Sequence, residues 1–209
     1  MNFLAHAHLA TVTQSSITGN LLGDFTKGVD ITLLPVRWQL GVKLHRKIDV
    51  YTDRHPAIKM CRVELAGLRR YGGIIVDIIA DHVVAKHFKR FHDESLAQFS
   101  VEVYRELARE HGRLPSRFQE VSKRMIEGNW LESYQEVKSV KLALERTGNR
   151  LSSKPALADG LAWYLANPKE IDERLLGFYQ SLIDYSQQVY SQLELGAKLN
   201  TNPHKELPT

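Results

Sequence analysis

An all-α, single-domain helical bundle is the fold class this sequence predicts, and three observations predict it. Between turn signals the apolar residues recur mostly at helical spacing. Pro35, Pro56, Pro115, Pro155 and Pro168 stand where helices can start, because the first helical position has no use for an N–H. The one run with strand propensity, Ile74-Ile75-Val76-Asp77-Ile78-Ile79, continues unbroken into Ala80–Phe88 and is too long for a strand. At 209 residues the chain fits one domain with a sizeable core better than two.

Taken in order, the periodicity predicts helices over 2–11, 16–27, 35–54, 57–70, 74–90, 95–111, 115–127, 136–147, 155–166 and 169–195. Breaks fall at Leu34-Pro35, His55-Pro56, Tyr71-Gly72-Gly73, Gly112 to Pro115, Gly128-Asn129, Gly148-Asn149, Pro155 and Pro168. Residues 1–196 then form the domain, and 197–209 read as a flexible tail. The C-terminal third, including Leu161, Trp163, Tyr164, Leu165 and the run from Leu175 to Leu195, reads as packing helix.

Composition narrows the class. Hydrophobic residues are 43% and charged residues 25%, ordinary for a globular protein, and no stretch has the roughly 18–20 uncharged apolar residues that span a bilayer. The N-terminus carries His6 and His8 where a signal peptide needs apolar residues. Cys61 is the sole cysteine, which excludes an internal disulfide and a cysteine-based zinc site and points to the cytoplasm. Net charge is only +4, but Arg37–Arg70 holds nine Lys/Arg against three acids. An anionic partner near that region is expected.

The segment 35–54 has three faces at ~100° per residue. Leu40, Leu44, Ile48 and Tyr51 make a core stripe. Lys43, Arg46, Lys47 and Arg54 share a sector for solvent or a partner. His45, Asp49 and Asp53 follow at four-residue spacing in a third sector with Trp38 and Val42, unusual company for a solvated face. The plain alternative is an exposed His–Asp ladder.

Between Ile74 and Ala85 only Asp77, Asp81 and His82 are polar, and a helix apolar all round is expected to be buried. Two like charges one turn apart in a dry site are costly, and a bound cation would relieve them. A structural network with Arg or Lys from another helix is the alternative. Asn20 and Asp24 lie a turn apart, with Gly19 and Gly23 on a neighbouring strip where another helix can approach. Asn2 and His6 share a face of the first helix, whereas His8 lies roughly opposite, so His6 is the histidine expected in the site.

In this order, Asn2-Phe3-Leu4-Ala5-His6-Ala7-His8-Leu9-Ala10, Gly19-Asn20-Leu21-Leu22-Gly23-Asp24-Phe25, Gly41-Val42-Lys43-Leu44-His45-Arg46-Lys47-Ile48-Asp49, Thr52-Asp53-Arg54-His55-Pro56 and Asp77 through Asp81-His82 resemble acyl carrier protein phosphodiesterases. Asn129-Trp130-Leu131 with Tyr134 resembles a later block of that family. The likeness is dense over 1–90 and thin beyond about 135. It implies an HD-phosphohydrolase-like helical fold, a divalent metal (typically manganese), and hydrolysis of the phosphodiester joining 4′-phosphopantetheine to a serine of holo acyl carrier protein. The buried Asp81-His82 pair reverses the order that names HD enzymes, and the literal His92-Asp93 sits in a polar stretch where Asp93 suits a turn or cap.

The expected metal ligands are drawn from Asp24, His45, Asp77, Asp81 and His82; imidazole mixed with carboxylate favours Mn²⁺, Fe²⁺ or Zn²⁺. His6, Asp49 and Asp77 are the catalytic candidates, with Asp49 or His6 as orienting group or general acid. Lys43, Arg46, Lys47 and Arg54 are expected to steer the acidic carrier protein. Neither a membrane nor nucleic acid is expected as partner, since no aromatic–basic interleaving is seen. The rival readings are an HD-type hydrolase of a nucleotide or nucleic-acid phosphodiester, and a non-catalytic helical module that binds an acidic protein.

Overall fold

Apolar residues at helical spacing fold into eleven α-helices, with no strand among the described residues. The computed structural model describes residues 1–200, with side chains through Lys198. The helices are α1 (Phe3–Val12), α2 (Ile17–Leu21), α3 (Val36–Arg54), α4 (Pro56–Glu64), α5 (Gly72–Lys86), α6 (Leu96–Glu110), α7 (Ser116–Glu127), α8 (Trp130–Ser133), α9 (Val137–Arg150), α10 (Leu161–Ala166) and α11 (Pro168–Asn200). Ile74–Ile79 is helical, within α5. Several expected helices are shorter and continue as 3₁₀ turns: 16–27 divides into α2 and Gly23–Phe25, 57–70 into α4 and Ala66–Tyr71, and 155–166 into Leu157–Gly160 and α10. Ala66 at φ +41° interrupts the second of these. Of the tail expected over 197–209, residues up to Asn200 continue α11; 201–209 lie outside the described residues. No helix is long and apolar enough to cross a membrane among the described residues.

α5 is buried nearly all round, with Ile75, Val76, Ile79 and Val83 in the core. It meets α1, α4, α9, α10 and α11. α2 crosses α3 at close range. A Cβ on Gly19 would stand 2.7 Å from the Trp38 backbone, and one on Gly41 would stand 2.8 Å from the Asn20 nitrogen. Those two missing side chains let α2 lie on α3 and carry Asn20 and Asp24 toward His45.

A second polar cluster fixes α11 to α5. The buried Asp172 carboxylate accepts from Lys86 Nζ at 2.7 Å, His87 Nε2 at 3.1 Å and Tyr164 Oη at 2.9 Å. Burial pushes this carboxyl up, but the bonds from Lys86, His87 and Tyr164 win and hold it below the usual 3.8. A depressed carboxylate stabilises above its unfolded pKa, and that contribution disappears as pH falls below it. Asp172→Ala is therefore expected to cost about 2 kcal/mol at pH 7, because three donors lose their acceptor. Urea unfolding should show the gap narrowing toward pH 3; a gap independent of pH would mean that packing, not charge, is lost.

Candidate active site

α1 is the first positioning element. Its leading N–H groups have no intrahelical partner, and the Asn2 side chain does not cap them. Instead the fully buried Asp81 of α5 accepts from Leu4 N at 2.7 Å and Ala5 N at 3.2 Å. Asn2 turns its Nδ2 to Tyr134 Oη at 2.7 Å. The backbone carbonyl of Tyr134 also accepts from His82 Nδ1 at 2.6 Å, so the loop after α8 holds both α1 and α5. Burial, opposed mainly by the Leu4 N–H, lifts the Asp81 carboxyl to about 7.

Fixed in this way, α1 sends His6 and His8 to opposite sides. His8 donates from Nε2 to the Phe91 carbonyl at 3.2 Å, so its Nδ1 accepts from Tyr179 Oη at 2.8 Å. The neutral ring is fully satisfied within an aromatic cluster, and burial lowers its pKa to about 4. His6 Nδ1 donates to Asn20 Oδ1 at 2.9 Å, which turns its Nε2 toward Asp49 Oδ1 at 3.2 Å. Its ring stacks on His45 with centroids 4.0 Å apart. His45 Nε2 lies 3.1 Å from Asp49 Oδ2 and 3.4 Å from Asp24 Oδ1. Space for the His45 ring exists because residue 23 is glycine, whose Cβ would fall 2.2 Å from that ring.

The electrostatics follow from this geometry. Burial pulls His45 down, but its bonds to Asp24 and Asp49 override it and raise the pKa to about 9. His6 is driven down to about 4 by burial and then by the neighbouring His45 charge, against the attraction of Asp49. Burial would raise Asp49, yet the two histidines hold it well below the ordinary carboxylate range. Asp77 is raised by burial, although the Met1 α-amino group 3.1 Å away opposes the shift. The same nitrogen stands 3.6 Å from Asp49, which ties Asp77 to the group.

His6, His45 and Asp49 offer ligand atoms all within 4.8 Å of one another. Donors about 2.1 Å from one ion stand roughly 3.0–3.4 Å apart, and the Asp49 carboxylate lies 3.2 Å from His6 Nε2 and 3.1 Å from His45 Nε2. Neutral His6, with its proton on Nδ1, points a bare Nε2 lone pair at the Asp49 carboxylate. A cation seated between that nitrogen and the carboxylate would be bound by both. The buried His45 Nδ1 and Asn20 Nδ2 have no hydrogen-bond partner. The donor set therefore fits a divalent cation. Gly23→Ala is expected to displace the His45 ring and lower any metal-dependent turnover about a hundredfold, as an ångström of misplacement does. Its circular-dichroism spectrum should stay close to the parent's, while its melting point falls because the displaced His45 loses its pairing with Asp24 and Asp49.

Of the residues expected from the sequence, Asp24, His45 and Asp49 converge with His6, and Asp77 borders them. Asp81 and His82 are engaged elsewhere, on the α1 N-terminus and the Tyr134 carbonyl. Lys43, Arg46, Lys47 and Arg54 are exposed on α3. Asn20, which holds the His6 ring, is a site residue that the sequence reading did not assign; its place one turn before Asp24 was the available signal.

An all-helical protein whose buried His6 and His45, with the half-buried Asp49, offer a donor set for a divalent cation is the class that fold and site define. The sequence comparisons are more specific: residues 1–182 match the model of the family described as acyl carrier protein phosphodiesterase, and the chain belongs to that family. It is 31% identical over 189 residues to the acyl carrier protein phosphodiesterase of Yersinia pestis, covering 90% of this chain and 98% of that protein. It is 33% identical over 187 residues to the protein of the same name from Salmonella dublin, covering 88% and 96%. No solved structure matches.

Proposed function

We propose that this protein hydrolyses the phosphodiester linking 4′-phosphopantetheine to a serine of holo acyl carrier protein, with a divalent cation as cofactor. The convergence of His6, His45 and Asp49 from two helices, beside Asp24, carries the reading. His6, His45 and Asp49, with Asp24, would hold the cation, and imidazole mixed with carboxylate suits Mn²⁺. Such an ion lowers the pKa of bound water and polarises a phosphoryl oxygen. Asn20 fixes the His6 tautomer, so that Nε2 presents its lone pair to the site. In this reading Asp77, which borders the group through the Met1 α-amino nitrogen, supplies the proton that the departing serine oxygen needs. Asp81 and His82 serve as supports that set α1 and α5.

The water oxygen forms the new bond to phosphorus while the bond to the serine oxygen breaks, giving apo carrier protein and free phosphopantetheine. The test is release of phosphopantetheine from purified holo carrier protein. Activity should vanish on chelation and return with Mn²⁺. Release that survives exhaustive chelation would overturn the metal assignment, and no release under any metal would overturn the substrate.

A further inference from the structure

The exposed sector of α3 adjoins a groove whose far wall is the C-terminal half of α11. Two neighbouring hollows of about 360 and 340 Å³ share Lys47 and Leu193. α3 contributes Lys43, Arg46 and Val50; α11 contributes Tyr185, Gln188, Val189 and Gln192. Tyr51 and Tyr185 stack at 4.2 Å and close one end, so the helices run antiparallel along the groove toward Lys43 and Leu193. One edge is cationic and the wall opposite is apolar and amide.

The cations on this edge are not used by the fold. Lys43 and Lys47 make no ion pair among the described residues, and Arg46 makes only a hydrogen bond to Thr26 Oγ1 at 3.1 Å. Val50, about one turn beyond Arg46 and Lys47, is 46% exposed. A groove with a basic rim and an apolar floor fits an amphipathic helix whose polar face is acidic. Its position also suits the chemistry. On α3, Arg46 lies about 60° around the helix from Asp49, so the groove borders the sector that holds the site.

We propose that the α3–α11 groove docks an acidic amphipathic helix of the carrier protein, with Lys43, Arg46 and Lys47 taking its carboxylates and Val50, Tyr185 and Leu193 its apolar face. This rests on the hydrolase reading for the partner's identity but adds α11 as half of the surface. The carboxylate-rich face of such a helix meets three cations without a competing acid in the lining.

The test pairs carrier-protein binding, by fluorescence anisotropy with fluorescent holo carrier protein and chelated enzyme, with turnover in Mn²⁺. Lys43→Glu/Lys47→Glu and, separately, Gln188→Glu/Gln192→Glu on the exposed face of α11 should each weaken binding and raise KM at least tenfold. The exposed Lys138→Glu on α9 should change neither. Melting profiles check that the variants fold. Loss of binding in the groove variants of a protein that proves unable to hydrolyse would retain the docking site and sink the hydrolase reading. Normal KM and binding in the α11 variants of an active enzyme would overturn the groove and leave the activity standing. Absence of any carrier-protein binding by the parent would overturn the docking proposal outright. So would a parent dimer in solution that the α11 variants dissociate, since a second copy would then be the occupant.

Discussion

Replacing Asp49 by asparagine is expected to lower turnover of holo carrier protein at least about a thousandfold, the scale seen when one member of a cooperating catalytic group is removed. Among the described residues Asp49 is the one carboxylate that reaches both ring nitrogens, His6 Nε2 at 3.2 Å and His45 Nε2 at 3.1 Å. The amide keeps the shape but has no charge to neutralise a cation or the protonated His45. A metal-free readout separates charge from shape. His45 titrates at about 9 in the fold because two carboxylates outweigh its burial. A raised histidine stabilises fully below its unfolded pKa of 6.5, and that stability is lost as pH rises through 9. Chelated Asp49→Asn should therefore be less stable than chelated parent at pH 6, with the difference closing above pH 9. Turnover within tenfold of the parent would remove Asp49 from the centre of the site.

Much of this centre was legible because helical periodicity fixes neighbours on one face. His45 and Asp49 are four apart on α3, and their company of Trp38 and Val42 marked a face that is not simply solvated; Trp38 and Val42 are indeed buried. The glycines at 19 and 23 announced a close approach, and both would clash with α3 if they carried a Cβ. His6 could be separated from His8 by angle alone. The two now have different fates, one in the site and the other in an aromatic cluster.

What periodicity cannot tell is the partner that another segment supplies. The Asp172 cluster joins residues 85 and 86 positions apart, and nothing local to Lys86 or His87 points to it. The 3₁₀ turns depend on conformations such as that of Ala66, which a spacing pattern does not register. Asp81 is the most instructive. A buried carboxylate needs compensation, and a cation, an arginine or a pair of backbone donors all satisfy that need. The third answer arises because Asn2, the residue that could cap α1, is committed to Tyr134 across the fold.

Asp81→Ala is the second large expected effect, and it distinguishes those answers. The substitution leaves the Leu4 and Ala5 N–H groups buried without acceptors, at a cost of about 3 kcal/mol from the two lost hydrogen bonds. Because α1 carries His6, turnover should fall as well, with the remaining folded protein still binding one equivalent of Mn²⁺ per His6–His45–Asp49 group. The pH dependence has a definite sign. Burial raises this carboxyl from 3.8 to about 7, so the fold holds its proton more tightly than the unfolded chain does. The parent loses stability from this group as pH rises across that interval, and the alanine variant lacks that slope. A ligand would behave differently: the variant would then keep its melting temperature in chelator and lose its metal. Equilibrium unfolding in chelator, set beside metal analysis of the folded variant, separates a helix cap from a metal ligand.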